Sequence, residues 1–177
     1  MIHVSKSVTI HRPIQDVYAF WRNLENLPRF MYHLETVAVT SERNSHWRAK
    51  APAGRAIEWD AEIVEERPFE RIAWRSVPGS EVQNEGSVSF REAPGDRGTE
   101  VRAVLRYDPP AGGLGASVAK LFGEEPEQQI RDDLRRFKQV METGEVVLSE
   151  GSLEGAGQGA TKQRAAQAPE PELETKR

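Results

Sequence analysis

The sequence predicts an α+β fold with one antiparallel sheet of about seven strands, two short helices after the first strand, and a long C-terminal helix. Three observations predict it. Residues 2–10 alternate Ile2, Val4, Val8 and Ile10 with His3, Ser5, Ser7 and Thr9, the period of a half-buried strand. Six further strand-like stretches lie between residues 34 and 108, separated by turn signals and by no helix long enough to cross between parallel strands. Residues 124–144 carry a single apolar stripe at helical spacing.

Each element has a local reason. After the first strand, Pro13 suits the first turn of a helix, and Val17, Phe20, Trp21 and Leu24 form its apolar stripe. The stretch "NLENLPRFM", interrupted at Pro28, predicts a second short helix or turn leading into the next strand. Strands are expected at 34–42, 45–51, 56–66, 70–77, 83–92 and 99–108, with "ERNS", "PAGR", "ERPF", "VPGSE" and "APGDRG" as the turns of a meander. "DPPAGG" at 108–113 stops the last strand. The helical end reads "LGASVAKLFG" and then "EEPEQQIRDDLRRFKQVMETG", with acids at the start of the second part and Arg and Lys toward its end, complementing the helix dipole. Pro126 suits its first turn and Gly144 its stop, and Ile130, Leu134, Phe137 and Met141 make the stripe, which needs a surface to cover.

From Ser149 onward only Leu153 and Leu173 are large and apolar, so this segment cannot bury enough surface to offset its ordering entropy. The expected organisation is a domain over residues 1–148 and a disordered low-complexity tail over 149–177. A net charge of -4, from 24 basic and 28 acidic residues in 177, argues against a nucleic-acid partner. With no cysteine there is no disulfide framework, no thiolate zinc site and no cysteine nucleophile. The N-terminal stretch lacks the apolar core of a signal peptide, and no run approaches the roughly 20 apolar residues of a membrane span. The expectation is a cytoplasmic protein without stable membrane insertion.

The stretch "AIEWDAEIVEE" at 56–66 places Glu58, Asp60 and Glu62 on alternate positions between Ile57, Trp59, Ala61 and Ile63. If Trp59 faces inward, the three acids face outward, and alternate residues along a wet strand do not converge on a metal or a reacting atom. Neighbouring strands divide the same way: Ile72 and Trp74 oppose Arg71 and Arg75, and Val101, Ala103, Leu105 and Tyr107 oppose Glu100, Arg102 and Arg106. The acids are therefore expected to pair with outward arginines across strands. The inner face carries Trp47, Trp59, Trp74, Phe90 and Tyr107 on five strands. Such rings fill a core or line a pocket, and periodicity does not separate the two.

Motifs for other chemistries lack their context. His3, His11, His33 and His46 have no metal-ligand spacing and read as surface or edge residues, so no metal is expected. "GASVA" at 115–119 ends in Ala119 and follows a Pro/Gly loop rather than a central strand, which leaves Ser117 an ordinary helical serine. "GAGQG" in the tail has no preceding strand, and "PAGGLGASVAK" lacks the P-loop lysine position. Polar candidates on the inward parity are Glu35, in phase with Val37 and Val39, Asn84, in phase with Val88 and Phe90, and Tyr107. Each also reads as a strand-end residue reaching water.

The stretches "SVTIHRPIQDVYAFWRNLENLPRFM", "WDAEIVEERPFERIAWRS" and "GSVSFREAPGDRGTEVRAVLRYDPP", with the terminal helix, resemble the START-like SRPBCC superfamily, in its polyketide cyclase/dehydrase and coenzyme Q-binding branch. The resemblance covers residues 2 to about 144. It implies a helix-grip fold, in which a curved sheet wraps the C-terminal helix and encloses a cavity. Carried onto this chain, that cavity would be lined by Trp47, Trp59, Trp74, Phe90 and Tyr107 from the sheet, and by Phe122, Ile130, Leu134 and Phe137 from the helical region. The expected function is binding or carrying a hydrophobic small molecule, such as a quinone, lipid or polyketide-like aromatic, with no cofactor. The alternative is an aromatase/cyclase or dehydratase in which Glu35, Asn84 or Tyr107 acts as acid-base or orienting group. A third possibility, a chaperone-regulating module, needs an outer apolar patch, and the charged outer strands rank it last.

Overall fold

Strand β1 (Ile2–Ile10) leads into helix α1 (Ile14–Arg22) and a 3₁₀ segment (Leu24–Arg29). The chain then enters a meander of β2 (Leu34–Val39), β3 (Asn44–Lys50), β4 (Ala56–Arg67), β5 (Arg71–Ser76), β6 (Asn84–Glu92) and β7 (Thr99–Tyr107), and helix α2 (Pro126–Thr143) follows. The computed structural model describes residues 2–107 and 126–145. The expected helix at 114–123 with Ser117 and Phe122, the "DPPAGG" stop and the tail at 149–177 lie outside the described residues.

All neighbouring strands are antiparallel, in the order β1-β7-β6-β5-β4-β3-β2. The sequence-adjacent strands β1 and β2 thus form the two edges of the sheet, and α1 with the 3₁₀ segment carries the chain from one edge to the other. Both segments are amphipathic, burying Val17, Tyr18, Trp21, Leu24 and Leu27. Helix α2 buries Leu134, Phe137, Val140 and Met141. The result is the α+β helix-grip architecture. Among the described residues, no helix is long and apolar enough to cross a membrane.

Polar contacts fix α2 against β1 and its outgoing turn. Lys6 Nζ pairs with Glu127 at 2.8 Å, Lys138 Nζ donates to the Thr9 carbonyl at 2.6 Å, and the His11 N–H donates to Glu142 Oε1 at 2.8 Å. The helix stops where the sequence provides for it. Gly144 adopts φ 78°, the left-handed conformation open to a residue without Cβ, and its N–H donates to the Val140 carbonyl at 2.9 Å.

The outer face of β4 is a set of cross-strand ion pairs. Arg48, directly opposite Glu58 in the β3–β4 register, bonds Glu58 and also Glu35, the latter at 2.7 Å. His46 lies opposite Asp60 at 2.8 Å, and Arg75 lies opposite Glu62 at 2.7 Å. The three acids are thus the wet side of the strand.

One expected inward residue is corrected. Simple alternation puts Glu35 on the same face as Val37 and Val39, but a β-bulge between Leu34 and Thr36 shifts the phase. Leu34 and Val37 are buried, Glu35 and Val39 are exposed, and the Glu35 carboxylate pairs with Arg48 outside.

Candidate functional site

The inward side chains of β3 to β7 do not close completely on the helices. They leave a cavity of about 70 Å³ between the sheet, the segment after the 3₁₀ turn, and the first half of α2. One wall is aromatic. Trp47 and Trp59 are direct cross-strand partners, stacked with ring centroids 5.8 Å apart, and Trp74 stacks on Trp47 at 6.4 Å. The Trp47 Nε1 donates to Ser45 Oγ at 2.8 Å, so its polar edge is satisfied and its ring face is what remains for packing. Ala103 and Leu105 of β7 form the floor, and Ile130 and Leu134 of α2 close the other side.

Polar groups gather at the helix side. Asp133 of α2 is buried on the cavity wall, and its Oδ1 accepts a hydrogen bond from Arg136 Nη2 at 2.6 Å. Its Oδ2 lies 3.8 Å from Nδ1 of His33, which also borders the cavity. Arg136 is committed further, donating through Nε to the Phe30 carbonyl at 2.9 Å, with its guanidinium 4.2 Å over the Tyr32 ring. Burial pushes the Asp133 carboxyl up to about 7, against the opposing pull of Arg136. Burial also lowers His33 to about 4, with the charges of Arg136 and Lys50 acting in the same direction. Asn84 adds a side-chain amide at the end of β6.

Trp21 behaves differently from Trp47. It borders the cavity from α1 and is 1% exposed, yet its Nε1 has no hydrogen-bond partner among the described residues. Its ring is held by Phe30 at 5.2 Å and Phe137 at 5.1 Å.

Of the residues expected to line a cavity, Trp47, Trp59, Trp74, Ile130 and Leu134 do so. Phe90 and Phe137 are buried away from it, among Tyr18, Trp21 and Phe30, in the filled part of the interior. Tyr107 is buried opposite Asn84 in the β6–β7 register and does not border the cavity, while burial raises its hydroxyl pKa. Phe122 lies outside the described residues. Of the polar candidates, Asn84 is at the cavity, Tyr107 is beside it and Glu35 is on the outer face, so the three do not converge.

Sequence reasoning missed the contributions of Trp21, Met31, His33, Gln129 and Asp133. His33, expected at the surface or an edge, is instead part of the cavity wall, and no periodicity marks it because it precedes β2 in a turn. Asp133 did carry a signal. It falls three residues after Ile130 and four before Phe137, on the apolar stripe of the helix.

Comparison with known proteins agrees with this architecture. The family model for polyketide cyclase/dehydrase and lipid transport matches residues 10–135. A Streptomyces lincolnensis protein, described as an uncharacterized 17.2 kDa protein in the melC2-rnhH intergenic region, is 31% identical over 145 residues, spanning 80% of this chain and 91% of that one. The crystal structure of a Deinococcus radiodurans protein is 43% identical, with a TM-score of 0.68 over 81% of this chain and 99% of its own. The Zhui aromatase/cyclase of a Streptomyces species shares the fold, with a TM-score of 0.64 at 16% identity over 82% of this chain and 99% of its own. A seven-stranded sheet closed on its C-terminal helix around a tryptophan-walled cavity, together with a family match over most of the chain, places this protein in the polyketide cyclase/dehydrase and lipid transport family of START-like proteins.

Proposed function

We propose that the protein binds or carries a hydrophobic small molecule in the cavity between the sheet and α2. The observation that carries this is the wall of Trp47, Trp59 and Trp74 facing unfilled space, where a solid core would have placed packing atoms. The cavity of about 70 Å³ is several times what one water molecule needs, roughly 10–15 Å³. Flat aromatic walls favour a planar ring system, through offset or edge-to-face contacts. A quinone or polyketide-like aromatic fits that preference better than a saturated lipid chain does. Membership of the family supports a ligand of this kind.

The enzymatic alternative, cyclase or dehydratase chemistry, required Glu35, Asn84 and Tyr107 to share one cavity, and of these Asn84 alone borders it. Binding is therefore the function the geometry supports better.

Native mass spectrometry and solvent extraction of the purified full chain test the proposal. The expected result is a co-purified apolar molecule, or uptake of a neutral apolar dye such as Nile red that is weakened by Trp59→Ala. A protein that carries nothing and takes up no apolar probe would end the proposal.

A further inference from the structure

We infer that the outer face of the sheet carries a second ligand site, a groove over Ser87 that takes a small soluble molecule by its phosphate group. The groove lies on the other side of the sheet from the cavity, and the inference does not rest on what the cavity binds.

Strand register sets the geometry. Ser87 of β6 lies opposite Ala73 of β5 and Val104 of β7. Two residues to either side on those strands stand Arg71 and Arg75 on β5, and Arg102 and Arg106 on β7, all on the outward parity. Their Cα atoms mark a rectangle of about 13 Å along the strands by about 10 Å across them, with Ser87 at its centre. Ala73 and Val104 are too short to fill the space between the arginines, which border a groove of about 480 Å³. That volume falls within the range of small-molecule sites, roughly 300–1,000 Å³.

The floor and one wall hold polar groups with bonding capacity to spare. Ser87 is 6% exposed and borders the groove, and its hydroxyl makes no hydrogen bond among the described residues. An arriving oxygen completes it and removes the cost of an unpaired buried group. Arg102 forms no ion pair among the described residues; its Nε donates to Ser5 Oγ at 3.0 Å, and both Nη groups are left for a ligand. The other three arginines each meet a carboxylate through one nitrogen: Arg71 Nε with Glu65 at 3.0 Å, Arg75 Nε with Glu62 at 2.7 Å, and Arg106 Nη1 with Glu85 at 3.2 Å. Arg71 Nη1 also donates to Ser89 Oγ at 3.2 Å. Each guanidinium has five N–H donors, so all three keep some to offer.

Charge and shape select the ligand. Beside His3, the ionisable groups bordering the groove are four guanidiniums against the carboxylates of Glu65 and Glu85, which favours an anion. Donors that converge from four corners suit a tetrahedral phosphate, whose oxygens accept from several directions, whereas one guanidinium fork satisfies a planar carboxylate. A broad anionic surface such as a membrane would also be pressed against Glu65 and Glu85. A compact phosphate compound passes between them to the floor.

Pyrophosphate is the probe, titrated into the full-length protein at low ionic strength and followed by proton–nitrogen NMR. The expected result is saturable shifts centred on the amides of Ala73, Ser87 and Val104, with those of Ile130 and Leu134 at the cavity unmoved. Malonate, a dicarboxylate of similar span, is expected to bind at least about tenfold more weakly. Arg102→Gln is expected to weaken pyrophosphate about tenfold and Ser87→Ala about threefold. Arg91→Gln removes the same charge from the outer face but away from the groove, and is expected to stay within about twofold. Should a variant fail to fold, the position of the shifts and the malonate comparison in the native protein still decide. The inference is overturned by an unchanged spectrum, by shifts centred elsewhere, by malonate binding as tightly as pyrophosphate, or by equal losses in Arg102→Gln and Arg91→Gln. Sedimentation with phosphatidic acid vesicles in the absence of any pyrophosphate effect also overturns it, and assigns the face to a membrane instead.

Discussion

Gly86 lies directly opposite Trp74 in the β5–β6 register, and the Trp74 indole occupies the place a side chain would take. A Cβ on Gly86 would sit 2.4 Å from Trp74 Cζ2 and 2.7 Å from Cε2, distances no real contact shows. The glycine is thus what lets one of the three wall tryptophans lie where it does. Gly86→Ala is expected to displace that ring, destabilise the fold by about 1–3 kcal/mol as overpacking does, and alter probe uptake by the cavity. Thermal melts together with Nile red titration check it, and an unchanged melt with unchanged uptake would show the Trp74 ring to be free to swing aside.

Phe137 is fully buried between Trp21, Phe20 and Phe30, with ring centroids 4.7–5.9 Å away. Because it belongs to the filled part of the interior, Phe137→Ala is expected to cost about 3–5 kcal/mol. Deleting residues 149–177 is expected to leave the melting temperature and probe binding unchanged, since the last buried apolar residue of α2 is Met141. Differential scanning calorimetry of the two proteins beside the full chain separates these effects. A large loss on tail deletion would move the domain boundary toward the C-terminus.

His33 and Asp133 are expected to tilt the pH dependence of stability in opposite directions. Unfolded His33 titrates near 6.5 and folded His33 at about 4, so the unfolded state binds more protons between those values and stability falls on acidification through that window. Folded Asp133 titrates at about 7 against 3.8 unfolded, so the folded state binds more protons and stability rises on acidification from about 7 toward 4. In the native protein these slopes offset one another. His33→Gln is expected to gain stability on acidification relative to the native protein, and Asp133→Asn to lose it more steeply. Urea midpoints between about pH 4.5 and 7.5 give the three profiles, and parallel profiles would contradict the assignment.

The outward acids of β4 are expected to matter little. Asp60→Asn and Glu62→Gln each remove one exposed cross-strand pair and Glu58→Gln removes two, with Arg48 and His46, yet all three are expected to leave the melting temperature nearly unchanged and probe binding unaltered. Loss of probe uptake in any of them would place the outer face in the ligand's path.

The order of elements, the antiparallel meander and the division of the sheet into a wet and an apolar face are all legible in the amino-acid sequence. Those features follow from local rules: period-two alternation in β4, turn residues at each hairpin, and the stripe of Ile130, Leu134, Phe137 and Met141 on α2. Local rules also settled that Trp47 and Trp59 point inward, but not whether they meet packing atoms or empty space. That depends on where α1 and α2 come to rest, and the tertiary structure alone decided it: Phe90 and Phe137 are enclosed by Tyr18, Trp21 and Phe30, while the rings toward the other end are left bordering a cavity. The same holds for the polar groups. Glu35 departed from its expected face because one bulged residue reverses a strand's phase, and His33 and Asp133, 100 positions apart, meet only because α2 packs across the segment before β2. Side-chain direction along one strand is a property of its own backbone, whereas a cavity is the space that several separately placed elements fail to fill.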